Sequence, residues 1–558
     1  MYICFKFSRM KRNVNYLVGL VLLGCSSLFS QTQIHEKDYT LTYYPNYLTL
    51  DFLASSAAQS AQLEDAFTHQ SISVERSENP NQIRLTHLQP SQILKLDYTN
   101  AQQQIQSSYL ANSSISSGSI EVYFNHSVAT NLAQSQAAIN LGDVLDEKLI
   151  AYINECQHDL AIAIYNSYSP SSTAGIAGAI NAAYDRGVKV RVIYDGSTSS
   201  AMIPLLNPLI PVLPSPTSSS YGIMHNKFVI FDAESTDPNQ PFVWTGSTNW
   251  TVAQIDGPDR NSVIVIQDQA LALAYKMEFD EMWGSSSMVP DVVNSKFGPY
   301  KSDNTPHHFV VGNKVIDSYF SPSDGTNSKL IDAINSANSD IEIATMLITR
   351  SDIKNALLAK YNAGLTNMNI MVDSQNPSGN QISTLQAALP AGHAVVFSLS
   401  GIMHHKFMVV DNFNHNSDPL VTVGSHNWST SAETKNDENT LIVHDANVAN
   451  QYFQAFADLY QQAGGNMEYL GVQASTMNAQ LCALFPNPSS GNCEIQWNSS
   501  QIQAATVRVF SSLGTQIMTQ ELPVAQTSIL PFAHLQAGIY VVTVETDQGN
   551  EVFKLIKK

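Results

Sequence analysis

Charge is scarce in this sequence. Asp, Glu, Lys and Arg make up 13% of its 558 residues, about half the usual share. Basic residues are the scarcer sign, 28 against 47 acidic, for a formal net charge of −19. Nucleic-acid binding relies on cationic patches that neutralise phosphates, so this balance opposes long-range steering toward a polyanion while leaving room for a local basic cleft. Cysteine is sparse as well: Cys4, Cys25, Cys156, Cys482 and Cys493. No Cys/His spacing resembles a zinc site. Cys156 reads as a buried residue in a helix, and Cys482 with Cys493 could close a small loop in an oxidising compartment. Long apolar runs are missing too. The run at 16–24 (YLVGLVLLG) is too short to span a bilayer.

That run follows Lys6, Arg9, Lys11 and Arg12 and precedes small residues, the pattern of a cleaved signal peptide over residues 1–30. Leu22-Leu23-Gly24-Cys25 also fits an imperfect lipoprotein box with Cys25 lipidated. Removing the first thirty residues takes away four basic side chains and no acidic one, leaving 24 against 47, a net −23. The expected mature form is exported, with no transmembrane span.

The length predicts three or four domains. Residues 31–115 alternate polar and apolar positions between turn residues and predict a β-rich region, and the Ser/Asn-rich stretch 112–119 reads as a linker. An internal repeat follows. In its first copy, 116–284, helical patterns at 143–153 and 174–186 alternate with strand patterns at 120–124, 160–164 and 188–194. In its second copy, 307–470, helices at 328–337 and 352–363 alternate with strands at 315–320, 341–348 and 368–372. Each copy reads as an α/β half with a parallel or mixed sheet, and their length makes this a domain duplication rather than a solenoid. Residues 484–558 carry several short strand patterns with turn signals, a small β-sandwich.

Each half holds one recurring constellation. The first has MHNKFVIFD, with His225, Lys227 and Asp232, then Gly246, Ser247 and Asn249. The second has MHHKFMVVD, with His404, Lys406 and Asp411, then Gly424, Ser425 and Asn427. Residues two apart on an extended strand face the same way, so His225 projects with Lys227 and His404 with Lys406. Four such side chains from two related strands would line one cleft. The lysines would bind non-bridging phosphate oxygens and the asparagines would donate further hydrogen bonds, while one histidine attacks phosphorus and the other protonates the leaving oxygen. His405 faces the opposite side and reads as structural, as Trp250 and Trp428 read as packing residues.

HxKx4D followed by GSxN, present twice, resembles the signature of the phospholipase D superfamily over about residues 116–470. The resemblance implies duplicated α/β/α halves forming one pseudo-twofold catalytic unit, monomeric, cofactor-free and metal-free. It implies a catalytic set of His225, Lys227, Asp232, His404, Lys406 and Asp411, with Ser247, Asn249, Ser425 and Asn427 on the substrate phosphate. The amino-terminal histidine, His225, is the expected nucleophile and His404 the acid. Glu438 stands where the family often has an acid that orients the histidine. It follows Gly424 by 14 residues; the same count from Gly246 reaches Arg260, so the first half is expected to lack this acid unless Asp259 or Asp256 replaces it. The tail resembles the C-terminal sorting domain of the type IX secretion system, on Pro486-Asn487-Pro488, Gly491, Gly514, Ala537-Gly538-Ile539-Tyr540 and the terminal lysines. That implies the type IX machinery as a partner and a secreted or surface-attached product. Three functions stay open: hydrolysis of phospholipid diesters, a secreted nuclease acting on nucleic acid, or a surface binding or adhesion protein.

Overall fold

In the computed structural model, residues 32–466 and 482–558 are described, apart from 45, 168–169, 375–376, 415, 487–488, 498–503, 512–515, 524–526, 537 and 547–548. The expected signal peptide and Cys25 lie outside these. The chain divides into two units, Met1–Gly471 and Val472–Lys558.

Within the first unit, each half is built on an eight-stranded mixed sheet. At the centre of the first stands Lys227–Phe231, antiparallel to both Asp159–Ile164 and Phe242–Gly246. Its counterpart in the second sheet is Lys406–Val410, antiparallel to Ile341–Thr345 and Leu420–Gly424. Strand order is the same in both sheets except for the first edge strand, parallel at Ile139–Asn140 and antiparallel at His308–Val311. The central strands are buried at every position, which is why they read as unbroken apolar runs rather than alternating ones. Helices cover the outer faces through regular apolar spacing, as with Leu145, Leu149 and Ile153 of Leu145–Glu155.

Two long helices, Gln269–Trp283 and Ala446–Gln462, bring the halves together. Asp268 caps the first, accepting a hydrogen bond from the Leu271 N–H, and Asp445 caps the second. Tyr275 packs its ring edge against Phe228 of its own half and Phe320 of the other, at centroid distances of 5.1 and 5.0 Å. Tyr452 does the same with Phe407 and Phe124, at 5.1 and 5.2 Å. The matching contacts on the two sides give the halves a pseudo-twofold relation.

Residues Thr32–Ala111 form a five-stranded and a three-stranded antiparallel sheet around their own core, to which Val310 and Val315 of the second half contribute. The stretch 112–119 is held down rather than free: Ser116 Oγ donates to the Pro238 carbonyl (2.6 Å) and the Ser117 N–H to Gln267 Oε1 (2.7 Å). The second unit is a three-stranded and a four-stranded antiparallel sheet around one core. Cys482 and Cys493 lie buried on its paired strands as thiols rather than as a closed bridge. Cys156 is buried as expected, one residue past the end of its helix. Among the described residues, no helix is long and apolar enough to cross a membrane.

Candidate active site

The strand carrying each motif begins at its lysine, so the histidine sits just ahead of it. There the backbone pairs with the opposite half. The His225 N–H donates to the Asp437 carbonyl and the His404 N–H to the Arg260 carbonyl, both at 2.9 Å. Parallel bridges Met224–Asp437 and Arg260–Met403 continue this crossing. Each histidine is thereby fixed against residues of the other half. His225, Lys227, His404 and Lys406 are between 3% and 6% exposed, a deep seat rather than an open groove. Lys227 Nζ donates to the His225 carbonyl and Lys406 Nζ to the His404 carbonyl, each at 2.8 Å, leaving further N–H donors for a ligand.

The orienting partners also cross. Glu438, in the second half, holds the first-half imidazole, with its carboxylate 2.7 Å from His225 Nδ1. The counterpart is not Arg260, Asp259 or Asp256 but Asn261, whose Oδ1 accepts from His404 Nδ1 at 2.9 Å. Asp259 instead accepts the Ile402 N–H. Counting from the motif glycine misplaced the position by one. Ser247 N donates to the Ser262 carbonyl and Ser425 N to the Asn439 carbonyl, which matches Asn261 to Glu438 and shows one extra residue in the first half. Glycine is required at the start of these turns. At Gly246 (φ +154°) and Gly424 (φ +149°) a Cβ would run into the Ser262 and Asn439 carbonyl oxygens.

Burial dominates the electrostatics of the seat. It pushes His225 down to about 4, with Lys227 and Lys406 adding and Glu438 opposing. His404 is driven well below the imidazole range by burial, then by both lysines. Burial lowers Lys406 to about 7 against Glu438, Asp373 and Asp259, and holds Lys227 well below the lysine range. Burial would raise Glu438, but His225 and Lys227 outweigh it and keep the carboxylate ionised. An ionised Glu438 accepts a hydrogen bond from the Nδ1–H of a neutral His225, and Asn261 Oδ1 accepts one from the Nδ1–H of His404. In both rings Nε2 is then the unprotonated nitrogen, with no hydrogen-bond partner among the described residues.

The structure does not bring every expected site residue into the seat. Asp232 and Asp411 lie about 16 Å along the strand from their lysines. Both stand at positive φ, +53° and +57°, a conformation Asp tolerates better than most residues. Asp232 accepts the N–H groups of Gln157 and His158, and Asp411 those of Asn338 and Ser339. They hold turns at the far end of the sheet. Asp411→Ala is expected to cost about 3 kcal/mol of stability through lost charge-assisted hydrogen bonds and a strained alanine. A lowered melting temperature with kcat/KM of the folded protein unchanged would bear this out; a lost kcat/KM in a protein of normal stability would not.

Ser247 and Ser425 are likewise engaged within the scaffold, donating to Asn261 Oδ1 (2.9 Å) and Asn439 Oδ1 (3.3 Å). By contrast Asn249 Oδ1, Asn427 Oδ1, Thr248 Oγ1, Asn261 Nδ2 and both ring nitrogens of His426 are buried with no hydrogen-bond partner among the described residues. Buried polar atoms in this condition are satisfied by solvent or ligand. His405 turns away as expected, its Nε2 2.8 Å from His126 Nε2 between the halves, and Trp250 and Trp428 are core residues.

Sequence reasoning missed three contributors besides Asn261. Asp195 and Asp373 accept the Met224 and Met403 N–H groups, at 2.8 and 2.7 Å, and so fix the residue before each histidine. Their signal was legible, an Asp closing RVIYD and NIMVD, just after the strand Lys189–Tyr194 and at the end of Met368–Asp373. Tyr165 stands edge-on to His225 at 4.8 Å, with Lys227 Nζ 5.2 Å from its ring centre. One group of described residues, Asp303, His307 and Asp324, brings metal-capable atoms within 4.8 Å of one another. Its contacts are those of an ion-paired histidine: Nε2 lies 3.1 Å from Asp303, and Nδ1 is bonded to the Ser318 carbonyl.

Residues 149–283 and 330–460 each match the family described as cardiolipin synthase, PLD-like domain, and residues 483–558 match the secretion system C-terminal sorting domain. The mitochondrial cardiolipin hydrolase of Xenopus tropicalis is 30% identical over 137 residues, 24% of this chain and 60% of that protein. The chain therefore spans less than two thirds of that relative. A phospholipase D of Rickettsia bellii is 25% identical over 181 residues, 31% of this chain and 83% of that protein. Among solved structures, the phospholipase D family member Nuc of Salmonella typhimurium is 27% identical, with 26% of this chain and 94% of that one covered and a TM-score of 0.23. The chain thus carries a PLD-like domain in each half, each with one of the two crossed histidine sites, and a secretion system sorting domain at residues 483–558.

Proposed function

We propose that this chain is an exported phosphodiesterase that hydrolyses phospholipid diester bonds through a phosphohistidine. The observation that carries the reading is the crossed pairing of the two imidazoles, each held by its Nδ1 with Nε2 bare, beside two buried lysines. Glu438 favours His225 as nucleophile. A carboxylate on Nδ1 stabilises the positive charge the ring acquires when Nε2 bonds to phosphorus. The neutral amide of Asn261 leaves a protonated His404 the stronger acid. His225 Nε2 attacks phosphorus, the P–O bond to the leaving alcohol breaks, and that oxygen takes the proton from His404 Nε2. His404 then removes a proton from water, whose oxygen attacks phosphorus. The P–N bond breaks and its electron pair returns to His225. An arriving phosphodiester anion offsets the two lysines and supplies the field that lets His404 hold its proton before the first step. Lys227 and Lys406 stabilise the charge on the phosphoryl oxygens, with Asn249 and Asn427 beside them.

Both imidazoles come from one chain, so one copy holds a whole site. Residues 1–30 serve in this reading as the export signal and the sorting tail as the address for the type IX machinery. Names of relatives that act on cardiolipin, and the chain's acidic balance, favour lipid over nucleic acid. The test is the purified protein incubated with a phospholipid panel and with DNA and RNA, in chelator. Released headgroup alcohol with phosphatidate is the expected product. Cleavage of nucleic acid alone would overturn the lipid assignment, and loss of activity in chelator would overturn the metal-free route.

A further inference from the structure

The path by which the chain reaches each histidine differs between the halves. Residues 217–220 are exposed, 221–223 half-buried and Met224 onward buried; residues 398–400 are exposed, 401–402 half-buried and Met403 onward buried. These two segments are the lips of the seat. Twelve residues separate Val212–Pro214 from Lys227–Phe231, but only eight separate Ala394–Phe397 from Lys406–Val410. The longer lip ends in Tyr221, no more than about 13 Å from His225 along the chain.

Tyr221 does not stand alone. Its ring lies 5.1 Å from that of Tyr300, in the segment between the halves, and Tyr300 is 57% exposed. A buried anchor presents Tyr300 there. The Gly298 N–H donates to Asp437 Oδ1 at 2.6 Å, and Lys301, fully buried, pairs with Glu278 at 2.5 Å and with Asp437 at 3.6 Å. At Gly298 (φ +51°) a Cβ would run into the Lys435 carbonyl oxygen, so the segment lies flush against the turn that leads to Glu438. On the opposite lip, Leu399 is 45% exposed.

We propose that Tyr221, Tyr300 and Leu399 rest the mouth of the seat on the surface of a lipid aggregate. This rests on the phospholipase reading above and names the physical form of its substrate. A phosphodiester in a bilayer must be drawn out of its plane to reach side chains as deep as Lys227 and Lys406. Phenols have an apolar body and a polar tip, and they settle at the boundary between acyl chain and water. The cations near the rim do not form a phosphate-tracking groove among the described residues: Arg260 folds back onto the Pro258 carbonyl and the face of Phe397, leaving Lys435 exposed beside the phenols. A single-stranded nucleic acid needs such a groove alongside its stacking rings.

The test compares the full chain with its Tyr221→Ser/Tyr300→Ser double variant on two presentations of phosphatidylcholine. One is unilamellar vesicles; the other is the dihexanoyl form below its critical micelle concentration. The variant is expected to raise the apparent KM on vesicles about tenfold and to lose vesicle cosedimentation to a similar degree, with short-chain hydrolysis within about twofold of wild type. Tyr300→Phe should recover much of the vesicle binding. Equal losses on both presentations would assign the pair a structural role and overturn the proposal, as would unchanged vesicle KM and cosedimentation. A variant that loses oligonucleotide binding while holding vesicles would overturn it in favour of base stacking. If wild type hydrolyses neither lipid form, the phospholipase reading fails by itself, and cosedimentation still decides the surface proposal.

Discussion

His404→Ala is expected to stop the reaction of a natural diester while sparing the first chemical step of an activated one. An alkoxide leaving group needs the His404 proton, so hydrolysis of a phospholipid should fall by about 10³–10⁴-fold. A p-nitrophenyl phosphodiester carries a leaving group that departs unprotonated. With it the variant should release close to one equivalent of nitrophenol in a burst and then stall, because no base activates water against the phosphohistidine. The trapped phosphate should be acid-labile and map to His225. His225→Ala should give no burst with either substrate and lose at least as much activity, since residues that act as a unit do not contribute additively. A burst retained by His225→Ala, with label on His404, would reverse the two roles.

This experiment separates His225 from His404, which the two motifs alone do not. HxKx4D and GSxN are the same in both halves, so those motifs by themselves are symmetric. The lack of a second acid was legible from Glu438, but the residue in its place, Asn261, was hidden by a single extra residue between Gly246 and Asn261. It was hidden again by the crossing, since each orienting residue serves the histidine of the other half, a pairing that linear spacing does not encode. The α/β halves were legible because their outer helices are amphipathic and their central strands apolar throughout. The helix Gln269–Trp283 was not, because it is buried on most sides between the halves and has no polar face to mark its period. Ala446–Gln462 does carry a polar stripe, at Asn447, Asn450, Gln454, Asp458 and Gln461, a legible signal that the motif-led reading passed over. Asp232 and Asp411 were legible as motif members but not in their placement. Five residues of extended strand carry a side chain to the other end of a sheet, and that distance appears only once the strand is known to be straight.

Glu438 is also the group on which the pH dependence turns. In the free protein His225 must be unprotonated to attack, so kcat/KM should rise as pH passes about 4, the value to which burial pushes this ring. His404 must carry its proton and Lys406 must be protonated to hold the phosphate, so kcat/KM should fall first as His404, held well below the imidazole range, loses its proton and more steeply as pH passes about 7. The profile is therefore a bell on the acid side of neutrality. Glu438 opposes burial at both limbs, since its negative charge favours the cationic forms of His225 and Lys406. Glu438→Gln should then move both limbs to lower pH and, by weakening the support for positive charge on His225, lower kcat/KM by about 10²–10³-fold. Asn261→Asp adds a carboxylate to the other ring, so it should move the alkaline limb upward, and it should slow leaving-group protonation by making His404 a weaker acid. The measurement is kcat/KM against pH for the three proteins with one soluble diester. A Glu438→Gln profile that only drops in height, with both limbs in place, would mean that Glu438 positions the ring without setting its charge.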